Sequence, residues 1–392
     1  MARSMNPFKA TLGATPPLLV GREDAIENFA VALEEGPGTH ERISLVVGPR
    51  GIGKTVLLNE FEKEARNRGW LVLSETATSG FVERLRASLI RELPQEKTSL
   101  ESVNLTILGI GGGVNWRKDA PRENIYTLRN ALEDYLIYKG ELDRKAKQDP
   151  TGVLITLDEM HHRRGDELIE FGATIQHLVR EGREIAVVMA GIPSSIKPLL
   201  SATISGQGSN PVTFLRRAER INLAAVKDED VKQALEEPLV GSGVSWDKKA
   251  LAEAVAACHG YPFMIQLVGQ WAFRLREGNV ITESAATAGI QKAQAKLGQL
   301  VHEPALADLS DMDKSFLVYM AQDDGPSSIS DIKNRLGRSG SYVSNYRRRL
   351  IDAEMIAEAG RARVDFALPY LRDFLREHAT ALVVDSDANY PW

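Results

Sequence analysis

The chain has 392 residues, 43% hydrophobic, 26% charged and 6% aromatic, with a formal net charge of −5. That length implies two or three domains, and those fractions are those of a soluble globular chain rather than a disordered or membrane-embedded one. The one cysteine, Cys258, rules out an intrachain disulfide and a thiolate metal cluster, and the mild acidity confines any nucleic-acid contact to a local basic patch.

Residues 1–17 read as an arm that orders on contact, with Pro7, Pro16 and Pro17 as breakers. Residues 1–21 lack the continuous apolar run of a secretory leader, and no stretch reaches the length of a membrane span, so a cytoplasmic setting is expected. A helix over 24–34 follows the run Leu18-Leu19-Val20-Gly21-Arg22-Glu23. Residues 43–47 are a short apolar, β-branched strand, and the segment from Val56 to 65 has helical periodicity.

Between them stand Gly48, Pro49, Arg50, Gly51, Ile52, Gly53, Lys54 and Thr55, in the spacing G-x-x-x-x-G-K-T. Strand, glycine-rich loop and helix together form a phosphate cradle. The loop N–H groups face phosphate oxygens, Lys54 reaches the β- and γ-phosphates, and the Thr55 hydroxyl ligates Mg²⁺. ATP and Mg²⁺ are therefore the expected ligands.

Further strands are expected over 70–75, 152–157, 184–191 and 220–223, with helices over 81–93, 124–147 and 162–180 between them. Strands alternating with helices predict an α/β fold, a parallel sheet covered on both faces. The strand at 152–157 runs into Asp158-Glu159, which places two carboxylates at the sheet edge beside the P-loop. Asp158 is expected to hold the metal and Glu159 to orient the attacking water. Ser194 and Ser195 are candidate γ-phosphate sensors or helix caps. Arg216 and Arg217, ahead of the last strand, are candidates for an arginine finger reaching a neighbouring subunit, or for surface ion pairs. The glycine cluster from Gly109 to Gly113 reads as a surface insertion or a contacting loop. His161 and His162 lack a third ligand at metal spacing.

From Asp228 the strand signal vanishes, and helices are expected at 228–237, 247–257, 262–276 and 282–298. The domains are thus drawn at 1–223, 224–303 and 304–392. In the last, a helix at 311–322 precedes a helix–turn–helix pattern, with Gly337 in the turn and a third helix at 342–351. Residues 355–366 read as strand, turn, strand: a wing with Arg361 and Arg363 at its tip. Every charged residue from Lys333 to Arg349 is basic (Lys333, Arg335, Arg338, Arg347, Arg348 and Arg349), and Ser341, Ser344 and Asn345 supply short polar groups. This suits duplex DNA; the other reading is a winged helix that packs on the nucleotide domain or on a protein.

The run Leu18–Glu23, the motif at Gly48–Thr55, the strand ending in Asp158-Glu159, and Gly260-Tyr261-Pro262 together resemble the STAND-type ATPases, a branch of the AAA+ class. The similarity covers about 18–300, and extends to the origin-recognition and transposition-helper ATPases that pair such a core with a winged helix. It implies a helical lid over the nucleotide, adenine contacts from Val20, Gly21, Arg22 and Pro262, ATP hydrolysis, and ATP-dependent homo-oligomers. The chain lacks the lid arginine common in the class, since Phe263 follows Pro262, which implies slow turnover.

Overall fold

The computed structural model describes residues 5–11, 13–94, 126–160, 165–193, 196 and 215–382. Gly109–Gly113, His161, His162, Ser194, Ser195 and the tail after 382 lie outside the described residues.

Five runs, Ile43–Val47 (β1), Leu71–Thr76 (β2), Val153–Asp158 (β3), Ile185–Gly191 (β4) and Glu219–Asn222 (β5), form one parallel sheet ordered β2-β3-β4-β1-β5. β4 is buried along its whole length and β3 at all but its last residue, which is why both read as continuous apolar runs. Period-two alternation then divides the two faces. Leu154, Ala186 and Val188 pack with Glu23–Glu35 (α1) and Lys54–Asn67 (α2), where Phe29 and Phe61 meet at 4.5 Å. Ile155, Leu157, Val187 and Met189 pack with Phe81–Glu92 (α3), Leu128–Ala146 (α4) and Gly165–Arg180 (α5). A capping box of Thr127 and Asn130 starts α4. Arg42, 2% exposed, ties the α1 carbonyls of Ala32 and Leu33 to Glu184 at the start of β4.

A helical unit follows, built from Asp228–Glu236 (α6), Lys248–Cys258 (α7), Pro262–Leu275 (α8) and Glu283–Leu297 (α9). The expectation of no strands here is corrected. Ser245–Trp246 (β6) and Val280–Ile281 (β7) pair in parallel, and a two-residue strand is too short to carry a period. Cys258 is fully buried in this core, and burial pushes its thiol up. Gly260 has φ +64, and a Cβ there would lie 2.3 Å from the Val226 carbonyl oxygen, so this turn requires glycine.

After Glu303–Ala307 (α10) comes a C-terminal unit: Asp311–Ala321 (α11), Ser327–Ser328 (β8), Ile329–Leu336 (α12), Gly340–Asp352 (α13), Ile356–Glu358 (β9), Arg363–Phe366 (β10) and Leu371–Leu382 (α14). Its antiparallel sheet has the order β8-β10-β9. Gly337, at φ 61, turns α12 into α13, and Gly360, at φ 100, turns β9 into β10. Among the described residues no helix is long and apolar enough to cross a membrane.

His302 sits where these units meet. It is 1% exposed, its Nε2 lies 3.0 Å from the Pro369 carbonyl oxygen, and its ring stands edge-on to Phe374. Nε2 therefore carries the proton, and burial pushes the pKa from 6.5 down to about 4. The folded chain refuses a proton that the unfolded chain takes, so this contribution is full above pH 6.5 and is lost between 6.5 and 4. His302→Phe should flatten the pH dependence of urea-unfolding stability over that window by about 3 kcal/mol relative to the parent.

Candidate active site

The C-terminal ends of β1, β3 and β4 open into a cavity of about 750 Å³. The P-loop leaves β1 at Gly48, where a Cβ would lie 3.1 Å from the Leu223 carbonyl oxygen. Gly51 (φ +74) and Gly53 (φ +98) take the left-handed torsions that turn the loop into α2. Lys54 folds back over this loop, donating from Nζ to the carbonyls of Gly48 at 2.6 Å and Pro49 at 2.8 Å. Burial lowers its pKa, while the carboxylates of Glu354 and Asp158 favour its charged form. The Thr55 hydroxyl donates to Asp158 Oδ2 at 2.6 Å, so the two expected metal ligands are already in contact. Two hard oxygen donors at the end of a phosphate cradle suit Mg²⁺.

Glu159 lines the same cavity, exposed, with φ 54. A non-glycine residue in that region is strained and is held there by its surroundings. Its N–H donates to Asp158 Oδ1 at 2.8 Å, and the N–H of Met160 donates to the Ala190 carbonyl at 2.9 Å.

Lys54, Thr55, Val56, Asp158, Glu159 and Pro262 thus come together around one space, with Arg50, Gly51 and Gly53 on its P-loop wall. Ile52 does not join them: it is 2% exposed and packs against Gly48 and the core. Val20 is buried at 6%, and Arg22 donates to the carbonyls of Gly21 and Ala224. A Cβ on Gly21 would meet Val226 and Asp230. Among Leu18–Glu23, only Leu19 lines the cavity; Val20, Gly21 and Arg22 instead brace the entry to the helical unit. Arg216 and Arg217 precede β5, which starts beside the beginning of β1, so they lie at the sheet edge opposite the P-loop. Arg217 lines a separate cavity of about 270 Å³ with His40, Arg42 and Arg183. Neither arginine reaches this chain's own phosphate site.

The sequence reading missed three walls of the cavity. The arm contributes Lys9, Thr11, Gly13, Ala14 and Pro16; the helical unit adds Phe263 and Gln266; and Leu300 to Asp308 close the side toward the C-terminal unit. A breaker-rich arm carries no motif, and Gln266 shows itself only as the residue one turn beyond Pro262. Tyr261 was legible only as the middle of its motif. Its hydroxyl donates to the carbonyl of Arg50, and the Arg50 guanidinium pairs with Asp308 at 2.9 Å. Glu354, at φ 58 in the turn after α13, lines an adjoining cavity with Arg50, Ile192 and Asp308.

In the C-terminal unit, Ser341, Ser344, Asn345 and Arg348 are exposed on α13 at spacings of three and four, one continuous stripe. Lys333, Arg338, Arg361 and Arg363 are also exposed. The uniform basic run is nonetheless partly neutralised from outside it. Arg335 pairs with Asp323, Arg347 with Glu358 at 2.8 Å, and Arg349 with the buried Asp313 at 2.7 Å.

Residues 18–188 match the AAA ATPase domain family. The chain carries an AAA ATPase domain. Residues 299–375 match a family described as a domain of unknown function. No curated protein matches the chain. Among solved structures, the Walker-type ATPase Paby2304 of Pyrococcus abyssi is 16% identical, with a TM-score of 0.62 over 91% of this chain and 96% of that one. A variant of RuvB from Thermotoga maritima is 15% identical, with a TM-score of 0.46 over 95% and 99%. Domain III of the Thermotoga maritima replication initiation protein DnaA is 13% identical, with a TM-score of 0.40 over 70% and 92%. The AAA ATPase domain thus holds the P-loop, Asp158 and Glu159, and at 16% identity the archaeal ATPase shares its fold.

Lys54→Ala should abolish measurable binding of a fluorescent ATP analogue. Glu159→Gln should retain binding while lowering steady-state phosphate release at least a hundredfold, since it changes only the carboxylate expected to orient water.

Proposed function

We propose that this chain is an ATP-hydrolysing switch whose nucleotide state sets the position of a DNA-binding winged helix. The observation that carries the reading is the triple grip on the P-loop apex. Tyr261 of the helical unit holds the Arg50 carbonyl, Asp308 pairs with the Arg50 guanidinium, and Glu354 of the C-terminal unit stands in the same cleft. Phosphate arriving at this loop meets groups that belong to both other units.

In this reading Thr55 and Asp158 hold Mg²⁺, which neutralises charge on the phosphates. Lys54 leaves the Gly48 and Pro49 carbonyls for the β- and γ-phosphate oxygens. Glu159 orients a water in line with the γ-phosphorus, so that the new P–O bond forms as the bond to ADP breaks. A γ-phosphate beside Arg50 competes with Asp308 and repels Glu354, which releases the C-terminal unit; hydrolysis restores the contact. Nucleotide then discriminates two states through differential contacts, the requirement for any such switch.

The helical unit is the lid, with Pro262 against the nucleotide. The elements from α11 to β10 are the winged helix: α13 is the recognition helix, Ser341, Ser344, Asn345 and Arg348 face the major groove, and the β9–β10 turn with Arg361 and Arg363 is the wing. Lys333 and Arg338 add phosphate contacts, whereas Arg335 and Arg347 hold the unit together. Arg216 or Arg217 acts on a neighbouring copy's nucleotide in an ATP-dependent oligomer, and the setting is cytoplasmic. If the helix instead meets a protein, the same switch operates without DNA.

Fluorescence anisotropy of labelled duplex separates these readings. Lys333→Ala should weaken duplex binding several-fold at low salt and reduce the salt slope by about one, with unchanged melting. Arg335→Ala should mainly lower the melting temperature. Absence of duplex binding by the folded parent at low salt would leave the protein-partner reading.

A further inference from the structure

The parallel sheet carries a second cavity, of about 270 Å³, at the end away from the P-loop. It lies at the starts of β1 and β4, where Ile43, Ile185 and Val179 of α5 give it an apolar wall. Among the described residues it shares no lining side chain with the nucleotide cavity.

Four basic side chains line this space, and they are not equivalent. Arg42 is fully engaged within the fold, donating to the Ala32 and Leu33 carbonyls and to Glu184. His40 Nε2 stands 3.2 Å from Glu219. Arg183 and Arg217 are uncommitted. The Nε of Arg183 is shielded from solvent and has no hydrogen-bond partner among the described residues. The Glu181 carboxylate is 3.8 Å from it and accepts instead from Arg129 at 2.8 Å. Arg217, exposed at the cavity, forms no ion pair or hydrogen bond among the described residues.

A guanidinium N–H withdrawn from water without an acceptor is unfavourable, and a ligand that brings the acceptor relieves it. Carboxylate oxygens match the guanidinium fork. The apolar wall favours an organic body over a bare ion. An apolar cavity of about 150 Å³ holds benzene, so this larger one has room for a ring and a carboxylate together.

We propose that this cavity binds a small carboxylic acid with a compact apolar body. Arg183 and Arg217 hold the carboxylate, and Ile43, Val179 and Ile185 cover the body. The site is separate from the phosphate cradle and does not depend on the ATP reading. Arg217 then serves this cavity, which leaves Arg216 for a neighbouring copy's nucleotide.

A ligand-observed NMR titration of the full chain with phenylacetate tests this. Binding should saturate with a Kd of about 1 mM or tighter. Acetate, which lacks the ring, and benzyl alcohol, which lacks the charge, should each bind at least about tenfold more weakly. Arg183→Met and Arg217→Met, which keep an apolar stem and remove the charge, should each raise the phenylacetate Kd about tenfold. Lys54→Ala should leave it within about twofold, with circular dichroism confirming the fold of each variant. A parent that does not saturate, unchanged affinity in both arginine variants, or acetate or benzyl alcohol binding as tightly as phenylacetate would overturn the proposal. So would loss of phenylacetate binding in Lys54→Ala, which would put the anion at the P-loop.

Discussion

The hydroxyl of Tyr261 rests on the backbone of the P-loop, and the coupling between units follows from how closely it does so. A Cβ on Gly51 would lie 2.1 Å from that hydroxyl oxygen, so the second residue of the loop apex is glycine for the sake of the helical unit as much as for phosphate. Burial and the nearby Glu354 carboxylate both push the Tyr261 phenol up, which keeps it a neutral donor. This contact ties the P-loop to α8, because Tyr261 is immediately followed by Pro262 at the first position of that helix.

Electrostatics extends the grip to the C-terminal unit. Lys54 is a partly buried cation beside three carboxylates, those of Asp158, Glu159 and Glu354, and the last belongs to a different unit from the other two. A polyanionic ligand at Lys54 adds negative charge where a carboxylate already stands, and in a partly buried cleft that repulsion is only weakly screened. The exposed Arg50–Asp308 pair contributes little stability by itself. Its value lies in its position, which lets a modest change at the P-loop alter a contact with the segment that leads into α11.

Much of this was legible in the sequence because its signals are local. The glycines of the P-loop, the buried run of β3 ending in Asp158-Glu159, and the Gly337 turn between α12 and α13 each declare themselves within a dozen residues. What was not legible depends on distant partners. The basic run from Lys333 to Arg349 looks uniform in sequence, yet Asp313, Asp323 and Glu358 reach it from elsewhere in the fold. Leu18–Glu23 points to adenine by resemblance, and the sequence does not show that Val20 packs in the core or that Arg22 donates to the Ala224 carbonyl. The arm shows breakers and no motif in sequence, and its anchoring depends on a distant partner, because Phe8 is seated on Gly269 of α8.

The central claim is that ATP loosens the C-terminal unit from the P-loop. Hydrogen exchange of the Glu159→Gln variant, with ADP and with ATP, tests it most directly at residues 353–356, next to Glu354. Faster exchange there with ATP than with ADP, reversed when Glu354→Gln is added, is the result this account predicts. Equal or slower exchange with ATP, at saturating nucleotide, would contradict it.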